Sequence, residues 1–489
     1  MESFPCTCCL QPVFYVLFGF GLAFCVGKWY SNKKEHEKDG AFMAISQEEK
    51  YIQMTQPPVS RLICKLAVPC IISMLVTAFY NMADTYFVDK LNSNAATGAV
   101  GVVFSMMAII QAVGFFFGQG SGNYISRELG KKNYEEAARM ASTGFFSALG
   151  AGAVICVFGL IFLEPLAYLL GSTDTILPHT KAYLGVILVG SPWMAASLVL
   201  NNQLRFQGSA SFAMIGIVTG AALNIALDPL LIFAFEMGVA GAGWATIISQ
   251  FVSFCILFVG CKKGGNISIR LKNFRFRWHY YYMIFRGGFP SLARQCLNSV
   301  ATVCLVHSAK EYGDVAVAAM TVVQRITMFG ASAMLGFGQG FQPVCGFNYG
   351  ARLYKRVRDG FWFSVVVSTL TLFGIGVLGF IFAPTVVGWL RSDPDAIAIG
   401  SVALRFQCAT FMTQGWIVMS NMMQQSIGRT ISATFLSVAR QGLFFIPVVL
   451  IMPMFLGITG IQMAQSTADV LTFLCAIPVQ TYVLKTFDK

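Results

Sequence analysis

The chain is 489 residues long, 56% hydrophobic and only 11% charged. A soluble protein has no interior that could hide so much apolar side chain, so the composition describes a polytopic membrane protein whose solvent is lipid. The net charge of +12 does not call for nucleic acid, because the basic residues gather in the connections between apolar runs, where membrane topology accounts for them.

Residues 1–60 stand apart from the rest. The run 10–27, LQPVFYVLFGFGLAFCVG, is apolar for 18 positions. No basic segment precedes it and no small-residue cleavage site follows, so a cleaved signal peptide is not expected. Three readings stay open: an extra span that places the amino terminus outside, a gene start extended upstream of Met43, or an interfacial segment. Cys6, Cys8 and Cys9 are the one cluster among 14 cysteines, and no second half matches them. Others, such as Cys156, Cys255, Cys304 and Cys475, fall in apolar runs and read as small hydrophobes. The four histidines, His36, His179, His279 and His307, are scattered and form no zinc motif.

From position 60 onward, apolar spans recur at about 62–88, 95–120, 136–163, 179–203, 209–235, 239–262, 281–308, 315–341, 358–387, 396–423, 430–453 and 459–484. Their lengths suit helices that cross a bilayer. One set of connections carries Arg127, Lys131, Lys132, Arg205, Lys262, Lys263, Arg270, Lys272, Arg275, Arg277, Arg352, Lys355, Arg356, Arg358 and Arg429. The other carries little beyond Lys90, Lys181, Lys310 and Arg391. The first set is therefore expected to be cytoplasmic, with both ends of the twelve-helix unit inside and the chain in the plasma or inner membrane.

The sequence also repeats itself. FGQGSGNYISRELGKKNY begins at Phe117 and FGQGFQPVCGFNYGARLY at Phe337, 220 residues apart. The same offset pairs Gly130 with Gly350, Tyr134 with Tyr354, Asn201 with Asn421 and Gly208 with Gly428. Six helices is an even number, so the repeats share one orientation about an axis along the membrane normal. The expected fold is all-α, twelve transmembrane helices in two parallel six-helix bundles. The expected division is an extension 1–60, an N-lobe 61–262, a basic linker 263–278 and a C-lobe 279–489.

Charge inside a span is costly, at least about 2.5–3.5 kcal/mol for Asp at a helix centre, and marks a candidate functional residue. Asp84 lies in FYNMADTYFV and Asp228 in LNIALDPLLIF. Tyr80 precedes the first acid by one helical turn and Asn224 precedes the second, so each pair shares a helix face. A phenol and an amide beside a carboxylate can share its proton or complete an oxygen shell around a hard cation such as Na+, with the Thr246 hydroxyl as a further donor. Pro229 removes the helical partner of the Ile225 carbonyl, one turn from the acid. The plainer alternatives are an interfacial cap for Asp84 and a hydrogen-bonded structural acid for Asp228. The repeat favours a special role, since FFIPVVLIM occupies the corresponding place in the second half and carries no acid.

Other polar residues in the spans are weaker signals: Arg294, Gln295 and Asn298 as a candidate C-lobe cavity, then Gln324, Arg325, Arg405, Gln407, Arg440, Gln441 and Asp469. Structural pairing is expected for most. The 44 Phe and 22 Met suit a cavity for flat apolar compounds, although such residues mostly pack helices or face lipid. No G-x-x-x-x-G-K-[ST] stretch occurs, so ATP-driven transport is not expected and an ion gradient is the remaining energy source.

Over about 60–489 the chain resembles the multidrug and toxic compound extrusion (MATE) transporters. YNMADTYFVDKL, ISRELGKKNYEEA, LNIALDPLLIF, GVAGAGWATIIS and GFGQGFQPVCGFNYGA carry the resemblance, and the NMAD and NIALDP forms are most similar to the DinF-like, MepA-type branch. The resemblance implies a V-shaped pair of bundles that exports organic, often cationic compounds in exchange for Na+ or H+. It implies an amino-lobe coupling site at Asp84, Tyr80, Asn224, Asp228 and Thr246, with Na+ or a proton on the two acids, and a bending role for Pro69. The acidic C-lobe pattern of the NorM branch is absent, since span seven offers Arg294 and Gln295 instead. A monomer in lipid with drug-like substrates, no enzyme activity and no cofactor beyond the coupling ion is expected. The rival is a flippase for lipid-linked precursors, which would need Arg294, Arg325, Arg405 and Arg440 to converge on one cavity.

Overall fold

The computed structural model describes residues 47–89, 94–391 and 393–487, with backbone alone for 81–86, 88–89 and 94–97. The expectations for the run 10–27 and the side chain of Asp84 lie outside the described residues. Among the described residues the chain is helical and no strand occurs. Helix α1 is Gln47–Thr55, α2 Val59–Asp89, α3 Asn94–Gly130, α4 Tyr134–Ile161, α5 Leu163–Leu169, α6 Leu177–Phe206, α7 Ala210–Pro229 and α8 Gly238–Gly260. After the linker come α9 Trp278–Lys310, α10 Asp314–Gly350, α11 Tyr354–Ile381, α12 Ala383–Gly388, α13 Pro394–Thr410, α14 Thr413–Ile427, α15 Thr430–Val438, α16 Ile446–Leu456 and α17 Ile458–Lys485. The short α5 and α12 occupy matching places, each after the third long helix of its half. In the fifth span of each half a π-helical stretch interrupts the helix, Leu230–Ala234 after α7 and Ala439–Phe445 between α15 and α16.

Among the described residues ten helices are long and apolar enough to cross a membrane, and α13 with α14 makes an eleventh, bent by 57°. At the bend the Thr413 hydroxyl donates to the Thr410 carbonyl at 2.7 Å, a side-chain bond that competes with the helical ladder. The twelfth, α9, has 33 residues and length enough to cross, but Arg286, Arg294, Gln295 and Asn298 interrupt its apolar character.

The repeated segments at Phe117 and Phe337 are not loop entries. Their helices continue to Gly130 and Gly350, about two and a half to three turns past the expected ends. The reason is contact between the halves. A Cβ on Gly336 would lie 2.6 Å from the Ile71 Cα, and one on Gly287 would lie 2.9 Å from the Gly120 carbonyl oxygen. Gly130 and Gly350 likewise meet the backbone of the other half, at Phe347 and Arg127. The backbones thus touch in two repeat-related pairs, α2 against α10 and α9 against α3, and again where the ends of α3 and α10 meet. This junction lies toward the face that carries the basic connections, and Ser121, Asn123 and Ser126 are fully buried there. Its apolar centre includes Ile63, Ala67, Ile125, Phe341, Phe347 and Phe361. Further from the basic face each lobe has its own core, around Tyr183 and Ile187 in one and Val323 and Leu404 in the other.

Helix α1 clasps both halves on the basic face. Lys132 pairs with Glu48 at 2.7 Å and lies over the Tyr51 ring. The Lys50 amine donates to Ser209 Oγ at 2.9 Å and to Asn266 Oδ1. From the other half, Asn348 Nδ2 donates to the Met54 carbonyl at 3.2 Å and Arg356 Nη2 to the Pro57 carbonyl at 2.6 Å.

Candidate functional site

The fifth span builds the site. Asn224 and Asp228 lie one turn apart on α7, and their side chains meet: Asn224 Nδ2 donates to Asp228 Oδ1 at 3.3 Å. The same amide lies 3.5 Å from Thr246 Oγ1 on α8. Asp228, Thr246 and Asn224 are 0%, 1% and 2% exposed, so the acid is wholly removed from solvent and lipid. Gly220 permits the close packing of α7 on α8, where a Cβ would come 2.9 Å from that of Ser253. Pro229 cannot donate to the ladder, and the chain then widens into the π turns of Leu230–Ala234. Such widening leaves carbonyls off the regular ladder and is common at functional sites.

Tyr80 of α2 is buried and lines the same cavity as Asn224 and Thr246, a space of about 110 Å³ between α2, α3, α6, α7 and α8. The Asn224 Oδ1 has no hydrogen-bond partner among the described residues. With Thr246 Oγ1 and the Asp228 carboxylate it forms a compact set of oxygen donors, chemistry suited to a proton or a hard monovalent cation. Among the described residues, no group of three or more His, Cys, Asp or Glu gathers to suit a softer metal. The backbone of Asp84 follows Tyr80 by one turn on α2. Pro69 lies inside α2, which runs unbroken through it, and Ser73 Oγ donates to the Pro69 carbonyl at 2.8 Å.

In the C-lobe the four arginines do not gather in one place, although Arg294 and Arg440 lie within electrostatic reach of each other. Asp469, 1% exposed, accepts from Arg440 Nε at 2.8 Å, Gln414 Nε2 at 2.9 Å and Gln465 Nε2 at 3.0 Å. Arg405 donates to the Phe380 carbonyl at 3.4 Å, and Arg325 is exposed. Arg294 and Gln295 are half-buried, while Asn298 is exposed and its side-chain oxygen accepts from Gln441 Nε2 at 3.5 Å. One residue was misplaced by pattern alone. Arg205, expected in a basic connection, is 3% exposed in the last turn of α6 and lines the 110 Å³ cavity. Loop charge could not have revealed it, because α6 ends only one residue later.

Two pseudo-symmetric helical lobes, joined at the basic face and carrying a buried acid in the fifth span of one lobe only, define a polytopic membrane transporter. The profile of the MatE family matches the chain twice, at 69–230 and 290–451. The chain belongs to this family, the MATE transporters. It is 26% identical over 441 residues to the multidrug export protein MepA of Staphylococcus aureus strain MSSA476, covering 90% of this chain and 97% of that one. It is 27% identical over 451 residues to MepA of Staphylococcus saprophyticus, covering 91% and 98%. A solved outward-facing conformation of a multidrug resistance MATE family transporter of the MOP superfamily superimposes with a TM-score of 0.84 at 25% identity, over 89% of this chain and 98% of that one. A MOP superfamily transporter of Pyrococcus furiosus, described as having a binding pocket of reverse polarity, gives 0.83 at 25% identity over 90% and 98%.

Proposed function

We propose that this chain is a secondary active exporter of drug-like, often cationic organic compounds in the plasma membrane, exchanging them for H+ or Na+ by alternating access. The observation that carries the reading is the one-sided acid site: Asn224, Asp228 and Thr246 packed together and wholly buried, with no acid in the corresponding span of the other lobe, where Val448 corresponds to Asp228, and with the buried acid of that lobe, Asp469, paired with Arg440 instead. A fold that needed an acid at this place in the fifth span for stability would need it in both lobes. The names of the staphylococcal relatives support the substrate class.

With the basic face cytoplasmic, the glycine junction closes the cytoplasmic side and the lobes open outward. A cation or proton from outside then occupies Asp84 and Asp228, neutralises the buried charge and changes the packing around α2, which expels substrate. When the lobes rock inward the ion leaves and the recharged site favours substrate again. Exchange follows because ion and substrate each favour a different state of one coupled site. Tyr80, Asn224 and Thr246 position the ion, and the widened helix after Pro229 supplies carbonyl oxygens. The flippase alternative finds no support in the C-lobe, where Arg440 is neutralised by Asp469. Ethidium uptake into everted vesicles under imposed Na+ or H+ gradients tests the proposal. Asp228→Asn should abolish ion-driven uptake while leaving the protein in the membrane. Intact ion-dependent uptake in that variant would refute the coupling site.

A further inference from the structure

Arg205 is an unbalanced charge at the floor of the N-lobe cavity. Its Nη2 donates to Asn202 Oδ1 at 2.6 Å, an oxygen that also accepts from Gln119 Nε2 at 3.0 Å. Its Nε and Nη1 are buried and have no hydrogen-bond partner among the described residues. The titratable group beside it is the Cys70 thiol, not a carboxylate. Burying a guanidinium with two unmet donors and no counter-charge is strongly unfavourable.

The repeat shows that the fold does not require it. At the offset of 220, Arg205 corresponds to Gln425. That neutral amide is fully used: its Nε2 donates to the Gly287 carbonyl and to Ser291 Oγ, both at 2.8 Å, and its Oε1 accepts from Gln342 at 3.4 Å. The N-lobe therefore keeps a cation where its twin keeps a satisfied amide. The cavity that Arg205 lines reaches Asn224 and Thr246 at its other end. At about 110 Å³ it is smaller than the roughly 300–1,000 Å³ pockets that enclose a whole drug-sized molecule.

We propose that Arg205 holds a small singly charged anion in this cavity, a chloride ion or the carboxylate of an amphoteric substrate. The anion lies against the guanidinium where Arg205 lines the cavity and balances its charge. Because the acid site shares the cavity, a cation or proton there raises affinity for the anion, and the anion raises affinity for the cation equally.

The test reads binding, so its failure leaves the export reading standing, and a failure of export leaves this proposal standing. Purified full-length protein in detergent is titrated with choline chloride against choline p-toluenesulfonate, whose bulky anion carries no carboxylate, and separately with choline benzoate. The readouts are thermal stability and the chloride-35 NMR line width. A saturable rise of a few degrees with chloride, with a broadened chloride signal, identifies the ion. The same rise with benzoate alone identifies a carboxylate. Arg205→Gln, the solution used by the twin position, should remove the response, and Arg205→Lys should keep a weaker one. If wild-type protein responds to neither anion, or Arg205→Gln responds as wild type does, the proposal is overturned. Should Arg205→Gln not fold, the wild-type titrations and Arg205→Lys decide the matter: no wild-type response overturns it.

Discussion

Replacing Gly336 by alanine should loosen the closed face of the transporter. The new Cβ would lie 2.6 Å from the Ile71 Cα and 2.9 Å from its nitrogen, whereas carbon atoms in contact rest about 3.5–4.0 Å apart. The shortfall is about 1 Å, and it falls on backbone rather than on a side chain that can swing away. Overpacking of this kind costs about 1–3 kcal/mol. Alanine also improves the intrinsic stability of α10 by about 1 kcal/mol. That gain is present in both conformers and cancels in the equilibrium between them, so the clash alone acts. Opening at the basic face should become more populated by about 5- to 150-fold. Native Cys345, buried in the junction, reports this directly. Its labelling by N-ethylmaleimide, followed by mass spectrometry, should rise by the same factor, with exposed Cys255 as internal control. Adding Gly287→Ala, whose Cβ would meet the Gly120 carbonyl at 2.9 Å, should raise it further. Unchanged Cys345 labelling in both variants would refute the idea that bare backbone contact sets the closed state.

Three further outcomes are expected. Burial in the α1 clasp lowers the Lys50 amine from its ordinary 10.5 to about 7. The folded state then binds fewer protons than the unfolded one, so this group makes stability rise with pH between about 7 and 10.5, by at most about 1.4 kcal/mol per unit. A neutral amine keeps two N–H groups, enough for Ser209 and Asn266, and Lys50→Met should remove this share of the pH slope in thermal unfolding and in hydrogen exchange of α1. Asp469→Leu should destabilise the C-lobe by about 3 kcal/mol, because it strands the Arg440 charge. Pairing it with Arg440→Met should restore most of the melting temperature, and failure to do so would mean that Gln414 and Gln465 dominate. Thr246→Val keeps the side-chain shape and removes one oxygen from the acid site, so the half-saturating concentration of the coupling ion should rise about tenfold, as for the loss of a hydrogen bond to a charged group.

The membrane class, the number of spans and the two-fold repeat follow from the sequence by itself. Each rests on local composition or on identity at a fixed offset, and both survive without any knowledge of packing. Asn224 and Asp228 were also legible, because four residues along a helix always bring two side chains to one face. Their isolation in one lobe could be read from the missing acid in FFIPVVLIM. Thr246 was legible as a candidate, but its approach to Asn224 depends on how α8 packs on α7. The helix ends at Gly130 and Gly350 were not legible. Glycine-rich polar segments read as loops until the opposite lobe buries them, and that burial is a contact across about 220 residues. The clasp of α1, the three-way bonding of Asp469 and the burial of Arg205 were decided in the same way. A span's hydropathy says that a residue lies in the membrane. Only the packing of helices distant in sequence says whether a charge there meets lipid, a partner or a cavity.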